Sequence, residues 1–230
     1  MATNYKYSKE LMIMGRPTLH VIKTKISNIC TETICRPLAD TSYFGINGGF
    51  FSSSNYKDTP TSSRSICVDR TENNVNLVVK GKKIAKNYHY NGTSSNSISR
   101  KTAVIYTSGG KKKMTYMYAK QSKDIITKYP TYSQIIGGND YSLDAWGAKA
   151  YHAPLSRTVL AWDNSNAYLI VTDIPQTIPS LKNYIKHLGL STTNSIVLDG
   201  SGSTSMKCKE FTKNGDKRYI FNMIRIINMN

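Results

Sequence analysis

Two glycine-rich segments, far apart in the chain, contain the residues best suited to chemistry. Residues 45–51 (GINGGFF) form the early glycine bend, which contains Asn47, and residues 198–206 (LDGSGSTSM) form the late glycine bend, which contains Asp199. Each follows an apolar or aromatic stretch, and each contains small residues that let the backbone approach a ligand closely. An amide at one bend and a carboxylate at the other predict a site built from two strand ends.

The elements around the late glycine bend favour a binding role for Asp199. A helical pattern at 179–189, with Pro179 in its first turn, is followed by an apolar strand at 195–198. We therefore expect Asp199 at the carboxyl end of a central strand, where open α/β sheets bind ligands. Residues 200–205 then supply backbone N–H groups and hydroxyls that suit phosphate oxygens. The same residue types also fit an ordinary capped turn.

Most of the remaining sequence is predicted to form strands. Alternation and β-branched residues indicate strands at 18–26, 157–163 and 167–173. Two hairpins are predicted, one at 75–86 turning at Lys80-Gly81 and one at 102–118 turning at Gly109-Gly110. Further strands are expected at 64–70, 132–138, 195–198 and 218–228, a short helix at 122–129, and loop residues at Asp140, Asp144 and Trp146.

These elements predict a fold of the α+β or mixed α/β class, with a strand-dominated mixed sheet and few helices. We expect one domain over residues 18–230, preceded by a polar, tyrosine-rich leader at residues 1–17. The Ser/Thr/Asn-rich stretches at 52–64 and 91–100 are interpreted as loops within that domain.

The charge balance is strongly positive. Lys and Arg number 31 against 14 acidic residues, a net charge of +17. Such a field attracts polyanions, so the candidate partners are nucleic acid, an anionic cell-wall polymer or a phosphate-bearing small molecule. A generally solvated, lysine-rich surface accounts for the charge equally well.

The cysteines and the N-terminus limit other classes of protein. Cys30, Cys35, Cys67 and Cys208 lack the spacing of a zinc site and are predicted to be buried free thiols. No metal or cofactor is expected, although two aspartates and an asparagine could bind a divalent cation through oxygen. No signal peptide or membrane span is recognised, so we expect a cytoplasmic protein, or one released by a phage or a non-classical route.

Taken together, the two bends resemble the motifs of the phosphodiester glycosidase family, which carries an aiNGGFF-like element early and an lDGGGSst-like element late. Intermediate family elements are similar to Ile136-Gly137-Gly138, Arg157-Thr158-Val159-Leu160 and Leu169-Ile170-Val171-Thr172-Asp173. The ordered motifs span residues 18 to 228, which is far more specific than one glycine run.

The resemblance implies a hydrolase that cleaves between a sugar anomeric carbon and a phosphodiester oxygen. It implies Asp199 as the carboxylate at the reacting centre, Asp173 as its partner, Arg157 as a phosphate clamp, and Asn47 as a ligand of the sugar or phosphate. Structural alternatives remain: an ion pair for Arg157 and a turn cap for Asp173. The remaining candidates for substrate binding are Gly48, Gly49, Gly138, Gly200, Ser201, Ser203, Thr204 and His152.

Two departures from the family pattern affect the substrate. Ser201 stands where the family usually has glycine, and Ile174-Pro175-Gln176 stands where it often continues Gly-Arg after the aspartate. The family resemblance therefore indicates the reaction more firmly than it indicates the natural substrate. The expected substrate class is a GlcNAc-1-phosphodiester, and an anionic bacterial glycan of the teichoic-acid or capsular kind is one context for it.

Three other functions remain open at this point. The same site could act on nucleotide-like or cyclic ribosyl phosphates. The basic, aromatic run at 111–118 would suit a nucleic-acid-binding protein, which is possible but not favoured because it leaves both glycine bends unexplained. A fold that only binds glycans is the third, although Asp199, Arg157 and Asn47 are all in place.

Overall fold

The computed structural model describes residues 4–13, 16–55 and 57–230. Its three helices are α1 (Ser122–Lys128), α2 (Leu143–His152) and α3 (Ile178–His187). The strands are β1 (Tyr5–Ile13), β2 (Arg16–Lys25), β3 (Ile29–Arg36), β4 (Gly45–Asn47), β5 (Phe51–Ser52), β6 (Ser62–Ser63), β7 (Cys67–Asp69), β8 (Asn76–Val79), β9 (Lys82–Ala85), β10 (Arg100–Ser108), β11 (Lys111–Ala119), β12 (Tyr132–Gly137), β13 (Thr158–Trp162), β14 (Asn166–Thr172), β15 (Ser195–Val197), β16 (Met206–Lys207), β17 (Thr212–Lys213) and β18 (Ile220–Ile226).

Three antiparallel sheets form the body of the protein. The first sheet has the order β1-β2-β14-β13-β15, the second β11-β10-β12-β7, and the third β17-β16-β4-β18-β3. Two ribbons, β5-β6 and β8-β9, stand apart from them. The strand-dominated α+β class expected from the sequence is thereby confirmed.

The core lies where the three sheets face one another. Ile22, Leu160 and Leu169 from the first sheet pack with Ile105 of the second and Ile224 of the third, and all five are at most 1% exposed. The opposite face of the first sheet is covered by α3, through Leu181 and other buried residues. Because both faces of the first sheet are covered, its inner strand β13 is buried at every residue rather than alternating.

Both predicted hairpin turns are confirmed. Lys80 and Gly81 have φ of 49° and 76°, and Gly109 and Gly110 have φ of 58° and 71°. Two successive left-handed residues give a turn whose twist matches that of the flanking strands. The helices expected at 122–129 and 179–189 are confirmed as α1 and α3.

The N-terminal segment differs from the expected leader. Residues 5–13 form β1, which pairs along β2 from Tyr5↔Thr24 onwards, and Tyr5 is buried in the core. Tyrosine is polar only at its hydroxyl, so a tyrosine-rich strand can bury its rings and still keep a hydrogen bond. The Tyr5 hydroxyl donates one to Glu210 (2.9 Å).

Two expectations about the surroundings of the site were wrong. Residues 143–152 form α2 rather than a loop, with the Ser142 hydroxyl accepting from the Ala145 N–H (3.2 Å). Gly147, at φ 69°, interrupts this helix and hides its periodicity in the sequence. Strand β15 is an edge strand of its sheet, not a central one; it is nevertheless buried because Val197 forms a bridge with Asn139, just after β12.

The four cysteines are free and buried, as predicted. Within the described ranges, no group of three or more His, Cys, Asp or Glu side chains could hold a metal ion. The helices of this part of the chain are all too short or too polar to cross a membrane.

Replacing Asn91 by alanine should destabilise the second sheet. Asn91 is fully buried; its side chain accepts from the Ile66 N–H (3.1 Å) and donates to Thr102 Oγ1 and Ala119 O (2.9 Å each). Loss of all three bonds should lower the free energy of unfolding by about 2–4 kcal/mol, measured by urea denaturation. Exposed Asn96→Ala, the matched control, should change it by less than about 0.5 kcal/mol; equal effects would contradict the assignment.

Candidate functional site

The early and late glycine bends meet in space. The Asp199 N–H donates to Gly48 O (3.2 Å), and the Asn47 Nδ2 donates to Asp199 O (2.8 Å). The Asn47 N–H donates to Ser205 O (3.1 Å), at the far end of the late bend. Each of these three contacts spans some two thirds of the sequence, and together they make one site from two distant segments.

The Asn47 side chain acts as the internal brace of this junction. It is 1% exposed, and its Oδ1 accepts from Thr158 Oγ1 (2.7 Å) and from the Ser205 N–H (3.0 Å). Its Nδ2 donates to Gly48 O (3.2 Å) as well as to Asp199 O. The amide therefore has its ordinary complement of hydrogen bonds within the protein. These contacts are those of a positioning residue; the expected contact of Asn47 with a ligand stays a prediction.

The glycines at the junction permit close backbone approach. A Cβ at Gly138 would lie 2.8 Å from Val197 O, one at Gly49 would lie 2.7 Å from Gly137 O, and one at Gly200 would lie 2.7 Å from Ser156 O. Real Cβ atoms do not come so near to backbone oxygen. Glycine at these three positions is thus a packing requirement. This requirement is compatible with the expected binding role of the glycines and does not test it.

Asp199 carries an unusual protonation equilibrium. Burial raises the pKa of Asp199 to about 6, because the charged carboxylate loses hydration at the junction. The Ser203 hydroxyl, the Gly200 N–H and the positive charges of Arg218 and Arg100 oppose that rise in pKa without cancelling it. The carboxyl nevertheless lies on a half-buried residue that solvent can reach. A desolvated carboxyl group on a residue that is not fully enclosed is typical of catalytic sites.

Three consecutive buried hydroxyls follow Asp199. The Ser203 hydroxyl lies beside the Asp199 carboxylate, whereas Thr204 Oγ1 and Ser205 Oγ have no hydrogen-bond partner within the described residues. Buried polar groups in proteins nearly always have a partner, and two adjacent exceptions require an explanation. A polar ligand resting on the late glycine bend would supply the missing partners.

Two arginines at the site escaped the sequence analysis. Arg100 and Arg218 both act on the Asp199 carboxylate by charge. Arg218 is also held by Asp216 through a short pair (Nη2 to Oδ2, 2.7 Å), and Arg100 lies over the Phe50 ring (4.7 Å). Neither arginine lies in a recognisable motif, so only the three-dimensional fold reveals them.

Arg157 is deeply buried, and its visible contacts are structural. It is 2% exposed; its Nε donates to Gln176 O (3.0 Å), and its Nη2 donates to Ala150 O (3.0 Å) and Ala153 O (2.7 Å). Burial lowers the pKa of Arg157 to about 10. The guanidinium therefore joins the end of α2 to the loop before α3. Its predicted role as a phosphate clamp would have to be performed by the N–H groups left over.

An aromatic pair links Arg157 to the early glycine bend. The guanidinium of Arg157 lies 5.2 Å from the centre of the Trp146 ring, and Trp146 meets Phe50 edge-to-face at 5.8 Å. Arg100 lies over the same Phe50 ring. Trp146, predicted as a loop residue, is thus on α2 and at the margin of the site.

The contacts that the structure shows for Asp173 and His152 are with residues outside the two glycine bends. Asp173 Oδ1 is 3.6 Å from His20 Nε2, and its backbone carbonyl accepts from Lys213 Nζ (3.2 Å). His152 is exposed at the end of α2, with its ring against Tyr151. The structure therefore gives Asp173 a local partner other than Asp199; the predicted roles of Asp173 and His152 stay predictions.

Arg157→Met should primarily destabilise the fold. Three backbone carbonyls would lose their charged donor, which should reduce the free energy of unfolding by about 3 kcal/mol. Exposed Arg36→Met is the matched control and should change it by less than about 0.5 kcal/mol, both followed by urea denaturation. A variant at Arg157 with unaltered stability but lost ligand binding would instead favour the clamp.

Comparison with known proteins bears on this geometry. The model of the phosphodiester glycosidase family matches residues 40–227, which include both glycine bends. No curated protein matches the sequence. Among solved structures, the fold is similar to a zebrafish N-acetylglucosamine-1-phosphodiester alpha-N-acetylglucosaminidase catalytic domain, auto-inhibited by its pro-peptide, with a TM-score of 0.56 and 14% sequence identity. That alignment covers 98% of this chain and 82% of the zebrafish chain.

The family match extends over most of the chain and joins the two segments that the structure brings together. The chain belongs to the phosphodiester glycosidase family and is a hydrolase of that class.

Proposed function

We propose that this hydrolase cleaves the bond between a sugar anomeric carbon and the oxygen of a phosphodiester, and that Asp199 is the carboxylate at the reacting centre. The observation that carries the proposal is the position of Asp199, at the junction of both glycine bends with a pKa raised to about 6. Unpartnered hydroxyls and two guanidinium groups lie around it.

The leaving group determines what the site must supply. A phosphate monoester has a second pKa of about 6 and departs readily, so a strong general acid is less necessary than in ordinary glycosidases. What remains is stabilisation of the positive charge that develops at the anomeric carbon. The ionised carboxylate of Asp199 can supply it electrostatically, by attack, or by activating the water that replaces the phosphate.

The neighbouring groups fit the two ends of such a substrate. Arg100 and Arg218 offer planar N–H donors to the departing phosphate, whose negative charge grows as the bond breaks. The hydroxyls of Ser203, Thr204 and Ser205 can orient the sugar or the phosphate oxygens, which would supply Thr204 and Ser205 with their missing hydrogen bonds. Asn47 keeps the two bends in register, so it acts on the reaction through Asp199.

The proposed substrate class is a GlcNAc-1-phosphodiester, within an anionic bacterial glycan. The sugar is supported by the name of the zebrafish protein whose fold is similar. The polymer is supported by the net charge of +17, which concentrates anionic chains near the protein surface.

Asp199→Asn should abolish hydrolysis of a GlcNAc-1-phosphodiester. The amide cannot carry the negative charge that stabilises the reacting centre, so kcat should fall by about 10³-fold or more. Free sugar and new phosphomonoester are measured together. Exposed Asp40→Asn is the control and should retain activity, whereas Asp173→Asn reports whether Asp173 takes part. A folded Asp199→Asn enzyme with ordinary turnover would refute the proposal.

The pH dependence of kcat/KM should show whether Asp199 acts as the ionised carboxylate or as the protonated carboxyl group. If the carboxylate acts in its ionised form, kcat/KM should rise with pH and level off above its pKa of about 6. The measurement is kcat/KM on the same diester between about pH 4 and pH 8. A fall in rate through the same region would assign the protonated carboxyl group as a general acid instead.

The same shift in pKa makes Asp199 costly for stability. Its folded pKa of about 6 lies above the ordinary value of 3.8, so the folded protein binds this proton more tightly than the unfolded chain. Stability is therefore lost as pH rises from about 4 to about 6, by about 2 kcal/mol. Asp199→Asn should remove that loss of stability. In urea denaturation, the free energy of unfolding of the variant minus that of wild type should therefore be larger above pH 6 than at pH 4. The same difference at both pH values would contradict the raised pKa.

A further inference from the structure

A polar, positively charged cleft lies beside the candidate site. It has a volume of about 490 Å³, and its lining contains six hydroxyl-bearing residues, three basic residues and one aspartate. The basic residues are Arg64, Lys80 and Lys82. A cleft of this size is ordinary for a ligand site, but its polar lining does not suit an apolar ligand.

The charge of the cleft is not neutralised from within. None of the ion pairs found among the described residues includes Arg64, Lys80 or Lys82. The aspartate of the lining, Asp58, accepts from the Ser54 hydroxyl (3.1 Å). In the same part of the chain the buried Thr59 hydroxyl has no hydrogen-bond partner. Guanidinium, ammonium and hydroxyl donors in one cleft are the groups that bind a phosphate.

Arg64 joins the cleft to the surroundings of Asp199. Its N–H donates to Phe50 O (2.7 Å), and its carbonyl accepts from Arg100 Nη1 (2.8 Å). Lys80, another basic residue of the lining, has its Nζ over the ring of Tyr219 (5.6 Å), which follows Arg218 in the sequence. Arg100 and Arg218 are the two arginines whose charge acts on Asp199. A substrate chain that leaves the reacting centre past Arg100 therefore meets Arg64, a residue of the cleft.

We propose that this cleft is a subsite for a second phosphodiester of the same chain, so that the enzyme acts on a polymer of sugar phosphates rather than on an isolated diester. The proposal rests on the proposed function and specifies its substrate. One phosphate lies at Arg100 and Arg218, where the bond to the anomeric carbon breaks, and the next phosphate along the chain lies among Arg64, Lys80 and Lys82.

Strand β9 supplies a matched pair of test residues. Lys82 and Ile84 both line the cleft, because alternate residues of a strand share a face. Lys83 lies between them on the opposite face and is likewise exposed. Lys82→Glu and Lys83→Glu therefore change the net charge equally at almost the same place, and differ in whether they face the cleft.

Binding is measured first, without cleavage, by isothermal titration calorimetry in the full-length Asp199→Asn protein. The probes are a GlcNAc-1-phosphate trimer joined through phosphodiesters and the one-phosphate methyl diester of GlcNAc-1-phosphate. Lys82→Glu should weaken trimer binding by about 5-fold and methyl diester binding by less than about 2-fold, whereas Lys83→Glu should weaken neither by more than about 2-fold. Thermal melting confirms that each variant is folded, and Lys82→Gln repeats the test without charge reversal.

The outcomes separate this subsite from the proposed reaction. Equal weakening by Lys82→Glu and Lys83→Glu, equal weakening for both probes, or no trimer binding would overturn the subsite. In an enzyme with Asp199 intact, Lys82→Glu should lower kcat/KM about 5-fold on the trimer alone. If wild type cleaves neither probe while trimer binding still depends on Lys82, the proposed function fails and the subsite stands.

Discussion

The hydrogen bonds of the buried Asn47 amide are the interaction on which the rest of the site depends. This side chain binds the backbone of the late glycine bend at Asp199 and at Ser205, and it binds Thr158 at the start of β13. Backbone hydrogen bonds also join the two bends, and the Asn47 side chain adds to them a connection to β13. A reacting carboxylate must be held in position to within a fraction of an ångström. An amide whose hydrogen bonds are all made within the protein holds its neighbours more rigidly than contacts through solvent do.

The second constraint is the conflict between stability and function at Asp199. Its carboxyl group is desolvated enough to raise the pKa to about 6, and the nearby arginines only partly offset the cost of its charge. The hydroxyls of Thr204 and Ser205, which have no partner among the described residues, add to that cost in the absence of a ligand. Such local penalties are concentrated where a ligand is expected, and the apolar core enclosed by three sheets outweighs them.

Structural features that depend on residues close in sequence were predicted, and features that depend on contacts between distant residues were missed. Paired left-handed turn residues identified both hairpins, and the Pro179 start and apolar face identified α3, because these signals act within a few residues. Helix α2 was missed because Gly147 breaks its period. The edge position of β15 and the burial of Tyr5 depend on pairing across the chain. The family motifs are local runs of sequence, so they pointed to both bends. Arg100 and Arg218 reach the site through contacts between distant residues, so they were found only in the fold.

Strand order also determines when the protein can become active. The amide contact between Asn47 and Asp199 joins residues 152 positions apart, and β18, almost the last segment of the chain, lies between β3 and β4 in the third sheet. The Gly48 N–H, at the centre of the early bend, donates to Asn222 O of that strand (2.8 Å). A nascent chain emerging from the ribosome thus has both bends before it has the strand that fixes one of them. Because contacts so distant in sequence form late in folding, hydrolytic competence requires β18 to be present.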